Sequence, residues 1–214
     1  MSHMLDIESW NRKSQFLFFR GYDNPFFNIC TSVDVTRLLQ WVKSRGRSFF
    51  IGYLYLSLRA ANDLPEFRYR IRGDGVLVHD RIHAGSTILN PDETFSFCYF
   101  DYFSTFEQFE TNAHRVLQEH AAAGGGLEAR DDRDDLIHCS VIPWLGFTSF
   151  SHARRFGRRD SVPKIVFGKA EKAGRQIRMP VSVEVHHALM DGIHVAKFVE
   201  RFQGYLSDPE GSLR

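Results

Sequence analysis

Met179, Val181, Val183 and Val185 are apolar, while Pro180, Ser182, Glu184 and His186 between them are not. A period of two predicts a strand with one buried face. His187 falls on the apolar parity and His186 on the polar one, so His187 is expected to point inward where the strand ends. Asp191-Gly192 then turns the chain, and Val195, Phe198, Val199, Phe202 and Leu206 recur at helical spacing, predicting a helix over 193–206.

The rest of the chain divides in the same way. The short apolar run Phe16-Leu17-Phe18-Phe19 reads as a buried strand, and Asp23-Asn24-Pro25 as a turn before an extended stretch over 27–33. Thr36 is placed to cap a helix that runs through Leu38, Leu39 and Val42 to Gly46. Residues 49–61 are nearly all apolar and long enough for a buried helix, stopped by Asn62-Asp63-Leu64-Pro65. A hairpin is expected over 70–78, around Gly73-Asp74-Gly75. An aromatic strand follows over 94–100. Ser104-x-x-Glu107 is a capping box, and the helix behind it carries Phe106, Phe109, Ala113, Val116 and Leu117 on one stripe up to Gly124-Gly125-Gly126. The acidic stretch 131–135 reads as a solvated loop, and 136–142 as a strand closed by Pro143-Trp144. The basic stretch 152–159 fits a solvated loop or a contact to a ligand phosphate. A strand over 164–167 and a polar turn over 170–175 complete the pattern. No repeat or Pro/Gly/Ser-rich linker interrupts it, so one α/β domain over 1–214 is expected, with Met1-Ser2-His3-Met4 resembling a tag remnant.

Composition narrows the class. The chain has 214 residues, 43% of them hydrophobic, which is enough for a substantial core and too apolar for disorder. Its 20 phenylalanines exceed what a core of this size requires and suggest an apolar pocket or a subunit interface. A net charge of +1 argues against nucleic acid or an acidic membrane as partner. Cys30, Cys98 and Cys139 are odd in number and widely spaced, which fits a reducing cytoplasm without disulfides. No signal-like segment or membrane-length apolar run is present.

The candidate chemistry lies at the end of the last strand. A histidine held inward there, with a carboxylate four residues on, fits a general base. A core histidine bonded to backbone fits the same pattern. No metal site is expected from His186, His187, Asp191 and His194, because adjacent strand histidines point to opposite faces.

His186-His187-Ala188-Leu189-Met190-Asp191-Gly192 resembles the HHxxxDG motif of CoA-dependent acyltransferases. Ser140-Val141-Ile142-Pro143-Trp144 followed by Phe147-Thr148-Ser149-Phe150, together with Trp10-x-Arg12 and Phe16, Phe18 and Phe19, is similar to the chloramphenicol acetyltransferase family in particular. The resemblance spans roughly residues 5–207. It implies a two-layer α/β sandwich, with a mixed, largely antiparallel sheet packed by helices, assembled as a homotrimer with its site between subunits. It implies acetyl transfer from acetyl-CoA to a hydroxyl of chloramphenicol. The same resemblance leaves room for a different hydroxyl acceptor or a catalytically weak binding trimer.

Carried over position by position, the resemblance makes His187 the base and Ser140 the donor to the tetrahedral intermediate. It pairs Asp191 with Arg12 to hold the site in shape. It puts Phe18, Phe19, Phe27, Phe150, His138 and Val166 around the acceptor, and Lys169 beside CoA. Several positions depart from the family: Glu184 replaces a usual Gln, Ile193 an aromatic, Val166 a water-binding threonine, His138 a common asparagine, and Ala170 a tyrosine.

Overall fold

The computed structural model describes residues 2–123, 127, 133–154 and 160–214. The glycine break at 124–126, the first two acids of the acidic stretch and residues 155–159 of the basic stretch lie outside the described residues.

The elements run β1 (Ser2–Met4), α1 (Lys13–Phe19), β2 (Phe26–Asp34), α2 (Thr36–Arg45), α3 (Phe49–Asn62), β3 (Tyr69–Arg72), β4 (Gly75–His79), β5 (His83–Leu89), β6 (Phe95–Phe100), α4 (Phe106–Ala123), β7 (Leu136–Ile142), β8 (Lys164–Gly168), β9 (Glu171–Ala173), β10 (Gln176–His186) and α5 (Gly192–Ser207). A seven-stranded sheet has the order β2-β10-β8-β7-β5-β6, with β9 on β10; a three-stranded sheet has the order β1-β4-β3. In the larger sheet, β7 is parallel to both neighbours and the other pairs are antiparallel. The sheet is therefore mixed and largely antiparallel, with helices packed on it.

Valines 181, 183 and 185 of β10 face the helices and are fully buried among Phe167, Phe198 and Phe202. Each contributes on the order of 1.5–3 kcal/mol through the area it removes from water. The polar parity of the same strand is buried too, with Ser182 at 0%, Glu184 at 6% and His186 at 4% exposure. The expectation of one buried face on this strand is thus corrected: the segment 150–154 lies over the second face, where Arg154 meets both Glu184 and the ring of Phe26.

Other expectations also change. Residues 16–19 are not a strand but the end of α1, which buries Phe16 and leaves Phe18 62% exposed. Four apolar residues are too few to separate a period of 2 from one of 3.6. Thr36 does not cap α2; Asp34 accepts from both its N–H (2.9 Å) and its hydroxyl (2.5 Å). The stretch 170–175 holds β9, which folds onto β10 through Gly174 at φ 63°. Ser2–Met4 pairs with β4 as a strand. Asp134 and Asp135 are not free in solvent: Asp134 meets Arg72 (2.6 Å) and Asp135 meets Arg133 (2.9 Å).

Candidate active site

β10 stops at His186 because the chain bends away from its neighbours. The His187 N–H still donates to the Pro25 carbonyl (2.8 Å) in register with β2, and the Met190 N–H then closes back on the His186 carbonyl (3.1 Å). His187 thus keeps the parity of Val185: its ring lies against Phe27, the register partner of Val185, on the face packed by helices, while His186 is buried on the opposite face beside Phe26. The His186 Nδ1 accepts from the Ala188 N–H (3.2 Å) and its ring meets Phe26 edge-on at 5.0 Å. Burial, and then the charge of Arg154, push its pKa down to about 4, so it stays neutral. His187 sits at the corner, partly open. Its ring stacks on Phe19 at 3.9 Å and 9°, and Phe27 tilts against it at 4.8 Å.

Arg12, buried just ahead of α1, clasps this corner. Its guanidinium grips Asp191 at two points, Nη1 on Oδ2 and Nη2 on Oδ1 (3.1 Å), while Nη2 also donates to the His187 carbonyl (3.2 Å). Asp191 stands where α5 begins, and its own N–H donates to His194 Nδ1 (2.8 Å). The Arg12 hydrogen bond, opposed in part by burial, holds the Asp191 carboxyl below the usual carboxylate range. His187 Nδ1 lies 3.1 Å from Asp191 Oδ1, without the alignment of a hydrogen bond. Among the described residues, no group of three or more His, Cys, Asp or Glu side chains could hold a metal ion.

Ser140 belongs to a second locus. On β7 it shares a face with His138, and both line a cavity of about 650 Å3 together with Lys164, Tyr99 and Phe97. His138 is accessible from this cavity, with protein crowding its other sides. Desolvation is the main cause of a pKa lowered to about 4, against a smaller opposing effect of Asp160. Ser140 registers with Val166, and Val166 with Ser182. His187 lies five residues beyond Ser182, roughly 16 Å along the strand and roughly 10 Å across it from Ser140. A single chain therefore does not bring Ser140 to His187.

The remaining expected positions divide between these loci or miss both. Phe19 and Phe27 frame His187. Phe18 packs edge-on against Phe19 at 5.0 Å and faces outward. Phe150 packs on Phe147 and His152 (5.8 and 4.9 Å), with no ring contact to His187. Val166 is fully buried beneath the cavity wall, between Ser140 and Ser182. Lys169 lies past β8, at the end opposite His187, paired with Glu171 at 3.3 Å and partly exposed.

Spacing alone does not announce the pair Arg154–Glu184. The Arg154 side chain is buried, bonded through Nε to Glu184 Oε1 (2.7 Å) and through Nη1 to Asp160 (2.6 Å), with its guanidinium 3.4 Å from the centroid of Phe26. His152 stands 3.5 Å from the other Glu184 oxygen. Arg154 is thus neither a solvated charge nor a free phosphate contact. The one signal in the sequence is a glutamate set between two buried valines, which needs a buried partner. The rings of Phe95, Phe97 and Tyr99 on the cavity wall were legible as one parity of an aromatic strand.

The chain matches the family model for chloramphenicol acetyltransferase over residues 2–203. The chain belongs to the chloramphenicol acetyltransferase family. Its relatives include a chloramphenicol acetyltransferase of Klebsiella sp, 29% identical with 97% of this chain and 94% of the relative covered. Chloramphenicol acetyltransferase 3 of Escherichia coli is also 29% identical, with 92% of this chain and 93% of the relative covered. A solved chloramphenicol acetyltransferase superposes with a TM-score of 0.85 at 32% identity, covering 96% of this chain and all of the other. The cubic core of a pyruvate dehydrogenase multienzyme complex shares the fold at a TM-score of 0.67 and 18% identity, with 94% and 89% covered. The relatives named for this family are transferases, and the family takes acetyl-CoA as its co-substrate. No described helix is long and apolar enough to cross a membrane.

Proposed function

We propose that the protein is a cytoplasmic, homotrimeric O-acetyltransferase that moves acetyl from acetyl-CoA to a hydroxyl of chloramphenicol. The observation that carries this reading is the His187 corner: an aromatic-stacked imidazole whose own carbonyl and following carboxylate are both clasped by Arg12, in a chain that matches the family over residues 2–203. His187 Nε2 takes the proton of the alcohol as its oxygen attacks the thioester carbon. Charge then develops on the former carbonyl oxygen, and the Ser140 hydroxyl donates to it. Collapse breaks the C–S bond, and the imidazolium returns the proton to the leaving sulfur. Asp191 takes no proton; with Arg12 it fixes the corner. Phe18, Phe19, Phe27 and Phe150 supply apolar surface to the acceptor, and Lys169 meets CoA. Because Ser140 and His187 are far apart within one chain, the site requires a neighbouring subunit, His187 coming from one protomer and Ser140 from the next.

Incubating the protein with acetyl-CoA and chloramphenicol, and following free thiol, tests this reading. Thiol release that requires both substrates is the expected result. An absence of release that persists across a panel of hydroxyl acceptors refutes it.

A further inference from the structure

The Ser140 cavity holds a charge that the proposed reaction does not use. Lys164 opens β8 and registers directly with His138 across the β7–β8 pair, and both line the cavity with Ser140. Three arginines reach the same wall, and each meets a carboxylate: Arg72 with Asp134 (2.6 Å), Arg133 with Asp135 (2.9 Å), and Arg154 with Asp160 (2.6 Å) as well as Glu184. Lys164 differs. Its Nζ donates to the Ala153 carbonyl at 3.1 Å and, among the described residues, contacts no carboxylate. Asp160 and Glu184 act on this half-buried ammonium only through space, and its one direct acceptor is neutral. Burial first, and the nearby Arg154 charge second, lower its pKa accordingly. Phe95, Phe97 and Tyr99 of β6 add aromatic rings to the same wall.

We propose that, beyond chloramphenicol, this cavity takes acceptor alcohols that bear a carboxylate on an aryl frame, and that Lys164 is the specificity-determining residue for them. The inference rests on the acetyl-transfer reading above and names a further substrate class for the same site. The rings hold the aryl frame, Lys164 pairs with the carboxylate, and the neutral His138 across the pair supplies a second N–H. The hydroxyl end is left to Ser140 and the neighbouring subunit's base. A phosphate of acetyl-CoA offers the same oxyanion chemistry, so the test separates the two sources.

Two acceptors of equal shape suffice: 4-(hydroxymethyl)benzoate and neutral 4-nitrobenzyl alcohol, with chloramphenicol as the neutral reference. Wild-type protein is expected to favour the benzoate by about tenfold in kcat/KM, the scale of one charge-assisted bond. Lys164→Met abolishes that preference, read as the ratio of the two kcat/KM values, while Lys164→Arg keeps it. Equal kcat/KM for the two acceptors overturns the proposal, as does a preference that survives Lys164→Met. A rise confined to the KM for acetyl-CoA also overturns it, since it assigns the lysine to a CoA phosphate. Calorimetric titration of both alcohols into the resting protein reads the same preference without turnover. If no acceptor releases thiol, the acetyl-transfer reading falls, and tighter benzoate binding lost in Lys164→Met still decides for or against the lysine.

Discussion

The His187 ring is posed by its surroundings as well as by its strand. Phe19 covers one face, Phe27 leans on it, and Arg12 holds the carbonyl behind it. His187→Ala is therefore expected to lose thiol release altogether while changing stability little, because the side chain is partly open and its neighbours are held by other contacts. A thermal melt run beside the thiol assay checks both halves, and an active variant removes His187 from the role of base. Ser140→Ala is expected to lower kcat by roughly 10²-fold with KM nearly unchanged, the scale for losing one oxyanion donor. An unchanged kcat makes Ser140 structural. Asp191→Asn leaves Arg12 without its carboxylate while the hydrogen-bonding shape survives. A fall in kcat larger than any rise in KM is expected, since the loss acts through the position of His187.

β10 organises its neighbours through both faces, and the second face carries an ion pair. Burial alone would raise the pKa of Glu184, but its contacts with His152 and Arg154 outweigh that and lower it from 4.5 to about 2. A carboxylate whose pKa is depressed by folding stabilises the fold above its unfolded value and loses that contribution as pH falls. Wild type is thus expected to exceed Glu184→Gln in stability by on the order of 3 kcal/mol at pH 7. That difference should shrink as pH drops from 4.5 towards about 2. Denaturant melts across that window check the sign, and a difference independent of pH removes the ion pair from the account. Elements with many repeats of one period were legible in the sequence: the α5 stripe, the apolar α3 and the hairpin of β3 and β4. The short α1 was not, because its apolar run covers barely one turn. Arg12 and Asp191 could be matched through the resemblance, and parity puts His187 on the face it shares with Phe27, but the burial of the opposite face, His186 included, was not legible, because the segment that covers it is distant in sequence. Arg154 was beyond reach, because nothing local tells a loop arginine that its partner lies on a strand thirty residues away.

At the scale of the whole molecule, the two loci are too far apart to act within one chain, and this makes a prediction that neither locus makes alone. If each site takes His187 from one subunit and Ser140 from its neighbour, the variants His187→Ala and Ser140→Ala are defective for complementary reasons. A mixed trimer then contains interfaces at which an intact histidine from the serine variant meets an intact serine from the histidine variant. Random mixing in equal amounts gives both intact partners at about one interface in four, so co-expressed or co-refolded variants should recover about a quarter of wild-type turnover. The two purified variants mixed without subunit exchange should not. Light scattering should find about three times the mass of one chain, and the recovered activity should elute with that species. Recovery that never rises above the better single variant, in a preparation shown to contain mixed trimers, means that both residues serve the same chain's site, and a large rearrangement of β7 against β10 would then be needed to join them.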